Sequence, residues 1–170
     1  YCYRVNYQLS TQPKVNIYIP TRDGLADLER CISSLLANTI YPNYNVIIID
    51  NQSQETETLA YFDRIQQDYK ISIRNYNHPF DFARMHNQAV QETAGDYVLL
   101  LNNDTEILDP EWLNHLLSLT ETAQAGIAGP MLLFADGSVQ HAGVVLGMDH
   151  GPAEHIFKGI RPEQEVLLNR

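Results

Sequence analysis

Four apolar runs in this sequence stop on residues that can do chemistry. VNIYIP gives way to Thr21-Arg22-Asp23, NVIII to Asp50-Asn51-Gln52, ISIRN to Tyr76-Asn77-His78, and DYVLLL to Asn102-Asn103-Asp104. Carboxylates and amides of this kind can accept N–H or O–H groups of a ligand, and a carboxylate can hold a hard cation through oxygen. Asp and Asn are also ordinary turn formers and helix caps, so one such cluster on its own says little. Several at successive strand ends say more, because a sheet would gather them on one edge.

The elements that must position these clusters follow from periodicity. Val15, Ile17 and Ile19 alternate and predict a strand closed by Pro20. Leu28, Ile32, Leu35 and Leu36 fall on one helical face, with Pro42 beyond the end. Asn45 to Asp50 is a short continuous apolar run of the kind found in parallel strands covered on both sides. Ser53 is placed to cap a following helix, with Leu59, Phe62, Ile65 and Tyr69 as its buried stripe. Ile71 to Tyr76 predicts a third strand, Asp81 a cap for a helix carrying Met85, Ala89 and Val90, and Gly95 its end. The run from Tyr97 predicts a fourth, buried strand. Asp109 and Pro110 then start a helix whose Trp112, Leu113, Leu116 and Leu117 face inward. Four β-α units in a row predict a mostly parallel, three-layer α/β sheet. Asp136-Gly137 between two strand-like runs adds a C-terminal β-hairpin. Ligands of open α/β sheets bind beyond the carboxyl ends of the strands, where the four polar clusters lie.

Composition narrows the chemistry. The chain has 170 residues, 44% hydrophobic and 19% charged, with a formal charge of -10. That size suits one principal domain. Only 11 Lys and Arg argue against nucleic acid as a partner, and a phosphate ligand of so acidic a chain calls for a cation. Cys2 and Cys31 have no metal-ligand spacing and are too few for a disulfide scaffold, which points to a reducing compartment. No G-x-G-x-x-G follows VNIYIP and no G-x-x-x-x-G-K-[ST] occurs, so dinucleotide oxidoreductases and P-loop NTPases lose their main signature. The basic Gly-rich loop of nucleotidyltransferases is absent from PTRDGLADLER as well.

VNIYIPTRDG, NVIIIDNQSQE, PFDFARMHNQAVQETAGDYVLLLNNDTEILDPEWL and SVQHAGVVLG together resemble successive blocks of the family 2 glycosyltransferases, the inverting group with the GT-A fold. The likeness runs in order over roughly residues 14 to 157 and is strongest to the bacterial branch that builds O-antigen, capsule and related polysaccharides. It implies a Rossmann-like nucleotide-diphospho-sugar transferase fold, with residues 1–13 an entry strap or linker, 14–150 the nucleotide-sugar-binding domain, and 151–170 the start of an incomplete acceptor region.

The resemblance also implies roles. Pro20, Thr21 and Asp23 sit where the family's first strand meets the nucleotide. Asp50 matches the carboxylate that accepts from the nucleobase, and Asn87 matches an Asn on the nucleotide-side helix. Asn102-Asn103-Asp104 falls on the D-x-D motif, with an amide replacing the first acid. Asp104 would then be the motif's one anionic ligand for Mg or Mn, with Asn102 and Asn103 as uncharged hydrogen-bonding partners. His155 is placed as a second metal contact and His141 in the donor-sugar pocket.

An inverting transferase needs a general base, and nothing between Gly147 and Arg170 matches the family's acidic motif. Asp149, Glu154 and Glu163 lack its surroundings. The expected activity is therefore metal-assisted transfer of a sugar, with inversion, from a nucleotide-diphosphate sugar to a glycan or lipid-linked acceptor, with the base outside the chain. The alternative is a truncated or inactive nucleotide-sugar-binding module without turnover. The expected location is cytoplasmic, extending to the inner face of the membrane through a longer parent protein.

Overall fold

The computed structural model describes residues 9–122, 125–147 and 153–161. Leu9–Asn114 packs as one compact unit, and the described residues from His115 onward belong to another. The first opens with β1 (Val15–Thr21), α1 (Leu25–Ala37), β2 (Tyr44–Asp50) and α2 (Thr56–Ile65). It continues through β3 (Ile71–Asn75), α3 (Phe82–Gln91) and β4 (Tyr97–Leu100) to the start of α4 (Trp112–Thr122). All four strands are parallel in the order β3-β2-β1-β4. The order reverses at β1. Right-handed crossovers then put α1 and α2 on one face of the sheet and α3 on the other.

The continuous run in β2 reads as expected for a strand covered on both faces: Val46 to Ile49 are at most 2% exposed. Tyr18, Ile47 and Ile49 pack with Tyr76 and with Met85 and Ala89 of α3 to form the core on one face. α1 buries Leu28, Cys31, Ile32 and Leu35, leaving Leu36 at its margin.

Three expectations need correction. β4 is not a buried strand: among the described residues it lies at the sheet edge, paired only with β1, and Val98 and Leu100 are half exposed. Their register partners Asn16 and Tyr18 share a face with the α3 core, but α3 covers β1 and β2 and does not extend over β4. The buried face of α2 is Thr58, Tyr61 and Phe62, so the stripe is rotated from the expected one, with Leu59 exposed and Tyr69 beyond the helix end. Ser53 does not cap α2. Its hydroxyl accepts from Asp23 N at 2.8 Å, and its own N–H donates to Asp50 Oδ1 at 2.9 Å.

Asp81 does cap α3, accepting from Arg84 N. Asp109 accepts from Glu111 N, one turn ahead of α4, which buries Leu113 and Leu117 and leaves Trp112 half-buried.

In the second unit, β5 (Leu132–Leu133) and β6 (Val139–His141) pair antiparallel around Asp136-Gly137, as the hairpin signal predicts. Gly137 has φ +82°, which a side chain would strain. Asp136 Oδ1 accepts from both N and Oγ of Ser138 and closes the turn; these bonds lower its pKa. β7 (Val144–Leu146) and β8 (Ala153–His155) form a second antiparallel pair. Among the described residues no helix is long and apolar enough to cross a membrane.

Candidate functional site

The sheet brings three of the four polar clusters to one edge in register. Thr21 pairs with Asp50 across β1 and β2, and Asp50 with Asn75 across β2 and β3, one residue short of the third cluster. The crevice of a doubly wound sheet opens where the strand order reverses, here between β1 and β4. That crevice is bridged. Asn103 Nδ2 donates to Thr21 Oγ1 at 3.2 Å, so the polar end of β4 and the polar end of β1 are held side by side. Thr21 is buried and also donates to Asp23 O.

Asp50 is 7% exposed. One of its carboxylate oxygens takes the Ser53 N–H, and a carboxylate has capacity for further donors. Asn51 is a residue that sequence reasoning passed over. Its buried Nδ2 donates to Tyr76 O at 3.1 Å and His78 O at 2.9 Å, fixing the loop that leaves β3. Only its place beside Asp50 at a strand end hinted at this.

Asp23 has a structural task within the loop after β1. Its φ is +54°, a region that Asp tolerates better than most residues, and Oδ1 accepts from Gln54 N and Glu55 N at 2.8 and 2.9 Å. A residue 31 positions before Gln54 thus ties down the two residues ahead of α2, while no side chain caps the helix itself. Pro20 is half-buried at the end of β1. Asn87 is exposed on α3, in a shallow hollow of about 540 Å³ that it shares with Asp81, Arg84 and Gln88. That hollow is lined by α3 and its cap alone.

Beyond β4 the chain turns at once. Asn102 O accepts from Thr105 N, from Thr105 Oγ1 and from Cys31 Sγ beneath it, which leaves the Asn102 and Asp104 side chains facing solvent. The thiol is fully buried, and burial pushes its pKa up to about 11, with the Asp104 charge adding to the rise. It is a packing group under the turn, not a nucleophile.

Asp104 is an exposed oxygen donor, and no group of three His, Cys, Asp or Glu side chains gathers around it or elsewhere among the described residues. A donor set of one carboxylate fits a hard cation that keeps several waters and draws its remaining oxygens from substrate phosphates; it does not fit a closed protein cage.

His141 and His155 meet each other. Their Nδ1 atoms are 2.8 Å apart with the rings edge to face, so one nitrogen carries a proton and the other accepts it. Both belong to the second unit, and sequence reasoning had assigned them separate roles without seeing the pair.

The sequence model of glycosyl transferase family 2 matches residues 16–164. The chain is 40% identical over 155 residues to the O-antigen biosynthesis protein RfbC of Myxococcus xanthus, an alignment covering 91% of this chain and 12% of that protein. It is 36% identical over 164 residues to the uncharacterized protein y4gI of Sinorhizobium fredii, covering 91% and 18% respectively. The chain therefore spans less than a fifth of either relative's length.

Among solved structures, it is similar to the mannosyltransferase PcManGT of Pyrobaculum calidifontis in complex with GDP-Man and Mn2+ (TM-score 0.58, 16% identity, 72% of this chain and 34% of that one). It is also similar to S. aureus TarS 1-349 in complex with UDP-GlcNAc (TM-score 0.54, 18% identity, 72% and 38%). The fold is GT-A, and the chain belongs to glycosyl transferase family 2.

Proposed function

We propose that this chain forms the donor-nucleotide half of a cation-assisted, inverting glycosyltransferase that takes a nucleoside-diphosphate sugar and passes the sugar to a glycan or lipid-linked acceptor in bacterial surface-polysaccharide synthesis. The observation that carries the reading is the bridged crevice. Thr21 and Asn103 are hydrogen-bonded across the point of strand reversal, with Asp50 beside Thr21 and Asp104 one residue beyond Asn103. The O-antigen relative and the nucleotide-sugar complexes of the structural neighbours support it.

Each side chain has a defined job in this reading. Asp50 accepts from a ring N–H of the base, which selects bases that present a donor there. Thr21 and Asn103 set the floor on which the nucleoside rests, and Asn102 exchanges hydrogen bonds with ribose or sugar hydroxyls without adding charge. Asp104 presents one carboxylate oxygen to a Mg or Mn ion. When bound, that ion stabilises the negative charge that grows on the diphosphate as the glycosidic bond breaks. Asp23, by holding Gln54 and Glu55 ahead of α2, keeps the loop after β1 in place. The acceptor's general base lies outside this half of the site.

A binding module without turnover is the second reading, favoured by Asn102 at the first position of the motif. Incubating the chain with UDP-, GDP- and dTDP-sugars and Mn2+ separates the two. Slow, metal-dependent release of nucleoside diphosphate that disappears in Asp104→Ala supports the transferase; tight donor binding with no release above the variant's level supports the module.

A further inference from the structure

The segment between β4 and α4, residues 101–111, has no regular structure, yet it carries the Asn102-Asn103-Asp104 turn. An eleven-residue irregular stretch must be anchored from outside if its side chains are to hold a fixed place. The anchor is one side of α1. Ile107, at the middle of the segment, is gripped by both of its backbone polar groups: its N–H donates to Ser34 Oγ at 3.0 Å, and its carbonyl accepts from Asn38 Nδ2 at 2.7 Å. The Ile107 side chain is buried.

The flanks are tied to the same helix and its exit. Cys31 Sγ donates to Asn102 O, Trp112 Nε1 donates to Thr39 Oγ1 at 3.0 Å, and Ile40 N donates to Pro110 O at 3.3 Å. Positions 31, 34 and 38 fall three and four residues apart, which is one face of a helix. Ser34 also donates its own hydroxyl proton to Cys31 O at 3.0 Å, so the oxygen that receives the Ile107 N–H is held in a fixed direction. α1 is in turn seated by Leu28, Ile32 and Leu35. A rigid helix thus holds the middle of the segment three residues beyond Asp104. With Ile107 free, Asp104 would be held from the Asn102–Asn103 side alone.

We propose that Ser34 and Asn38 are positioning residues of the donor site, gripping Ile107 so that Asp104 is presented to the cation bridging a nucleoside diphosphate. This rests on the donor-site reading above. Neither residue touches the ligand; they act through the loop, as outer-shell partners of metal ligands do, where substitution commonly weakens metal affinity about ten- to a hundredfold.

The test measures nucleoside diphosphate binding with and without Mn2+ for the chain, Ser34→Ala, Asn38→Ala and Ser34→Thr. The expected result is that metal-free affinity is unchanged in every variant. The gain in affinity on adding Mn2+ falls on the order of tenfold in the two alanine variants. It is kept in Ser34→Thr, whose hydroxyl can still bond the i−3 carbonyl and receive the Ile107 N–H.

Loss of thermal stability with the full Mn2+ gain retained would overturn the positioning role while leaving the donor site standing. Absence of any Mn2+ gain in the unsubstituted chain would overturn both. Amide exchange supplies a readout that needs no nucleotide. The amides of Thr105 and Ile107 should exchange about tenfold faster in Ser34→Ala, with Ile47 and Ile48 unchanged. Unchanged exchange at both would refute the grip.

Discussion

Replacing Asp23 separates two jobs that one carboxylate could hold at the end of β1. Its Oδ1 takes the backbone N–H groups of Gln54 and Glu55, just ahead of α2, and its backbone sits at φ +54°. Both N–H groups border solvent, so losing the carboxylate lets water replace it, and the loss of the two bonds should cost about 1 to 2 kcal/mol. Alanine in the left-handed region adds about 1 kcal/mol more. Asp23→Ala should therefore cost about 2 to 3 kcal/mol. Asp23→Gly, which relieves the backbone but loses both bonds, should cost about 1 to 2 kcal/mol, and Asp23→Asn, which keeps one acceptor and tolerates the backbone, should cost less than either. Urea unfolding followed by circular dichroism gives the order directly, with unchanged m values showing that only stability has moved. Affinity for a nucleoside diphosphate, measured below the unfolding transition, should change little. An Asp23→Ala variant as stable as the parent but deficient in nucleotide binding would refute the structural account and assign Asp23 to the ligand.

The remaining predictions concern groups around the same edge. Asn51→Ala removes two buried hydrogen bonds to Tyr76 O and His78 O and should destabilise by about 2 kcal/mol in the same urea assay. A Cβ at Gly95 would come within 2.7 Å of Asn16 Nδ2, and Asn16 is buried and bonded to the Tyr18 hydroxyl. Gly95→Ala should thus cost about 1 to 3 kcal/mol through overpacking. Burial raises the Cys31 thiol from 9.0 to about 11 and Tyr61 from 10.0 to about 12, so the folded state holds these protons more tightly than the unfolded one. Their stabilisation is complete below pH 9 and is lost as pH rises through 11 and 12. Urea midpoints should fall over that range, and Cys31→Ala should lose less between pH 9 and 11 than the parent.

Much of the fold could be read locally because the signals were local. β1 alternates with period two, β2 is a continuous apolar run, and Asp81 caps the helix that follows it three residues before Arg84 N. The failures came where a distant partner decided. The apolar run of β4 looks like that of β2, but only sheet order makes β4 an edge. Ser53 stands where a cap belongs, yet its hydroxyl is taken by Asp23 N, and the Asp23 carboxylate holds the two residues ahead of α2. Thr58 and Tyr61 face inward in α2 in place of Leu59, because a rotation that buries Tyr61 and Phe62 together outweighs the choice by residue type.

The site divides in the same way. Thr21, Asp50 and Asn103 were legible as strand ends, and the sheet does gather them. The grip of Ser34 and Asn38 on Ile107 left no motif, since a serine and an asparagine late in a helix usually face water. The pairing of His141 with His155 depends on two hairpins folding together, which no spacing in the sequence encodes.

The measurement that bears most directly on the central claim is a calorimetric titration of UDP, GDP and dTDP into the chain, with and without Mn2+, repeated for Asp104→Ala. The account predicts at least one nucleotide that binds markedly more tightly with Mn2+, and loss of that increment, but not of metal-free binding, in the variant. Binding of every nucleotide that is indifferent to Mn2+, or an increment that survives in Asp104→Ala, would contradict it.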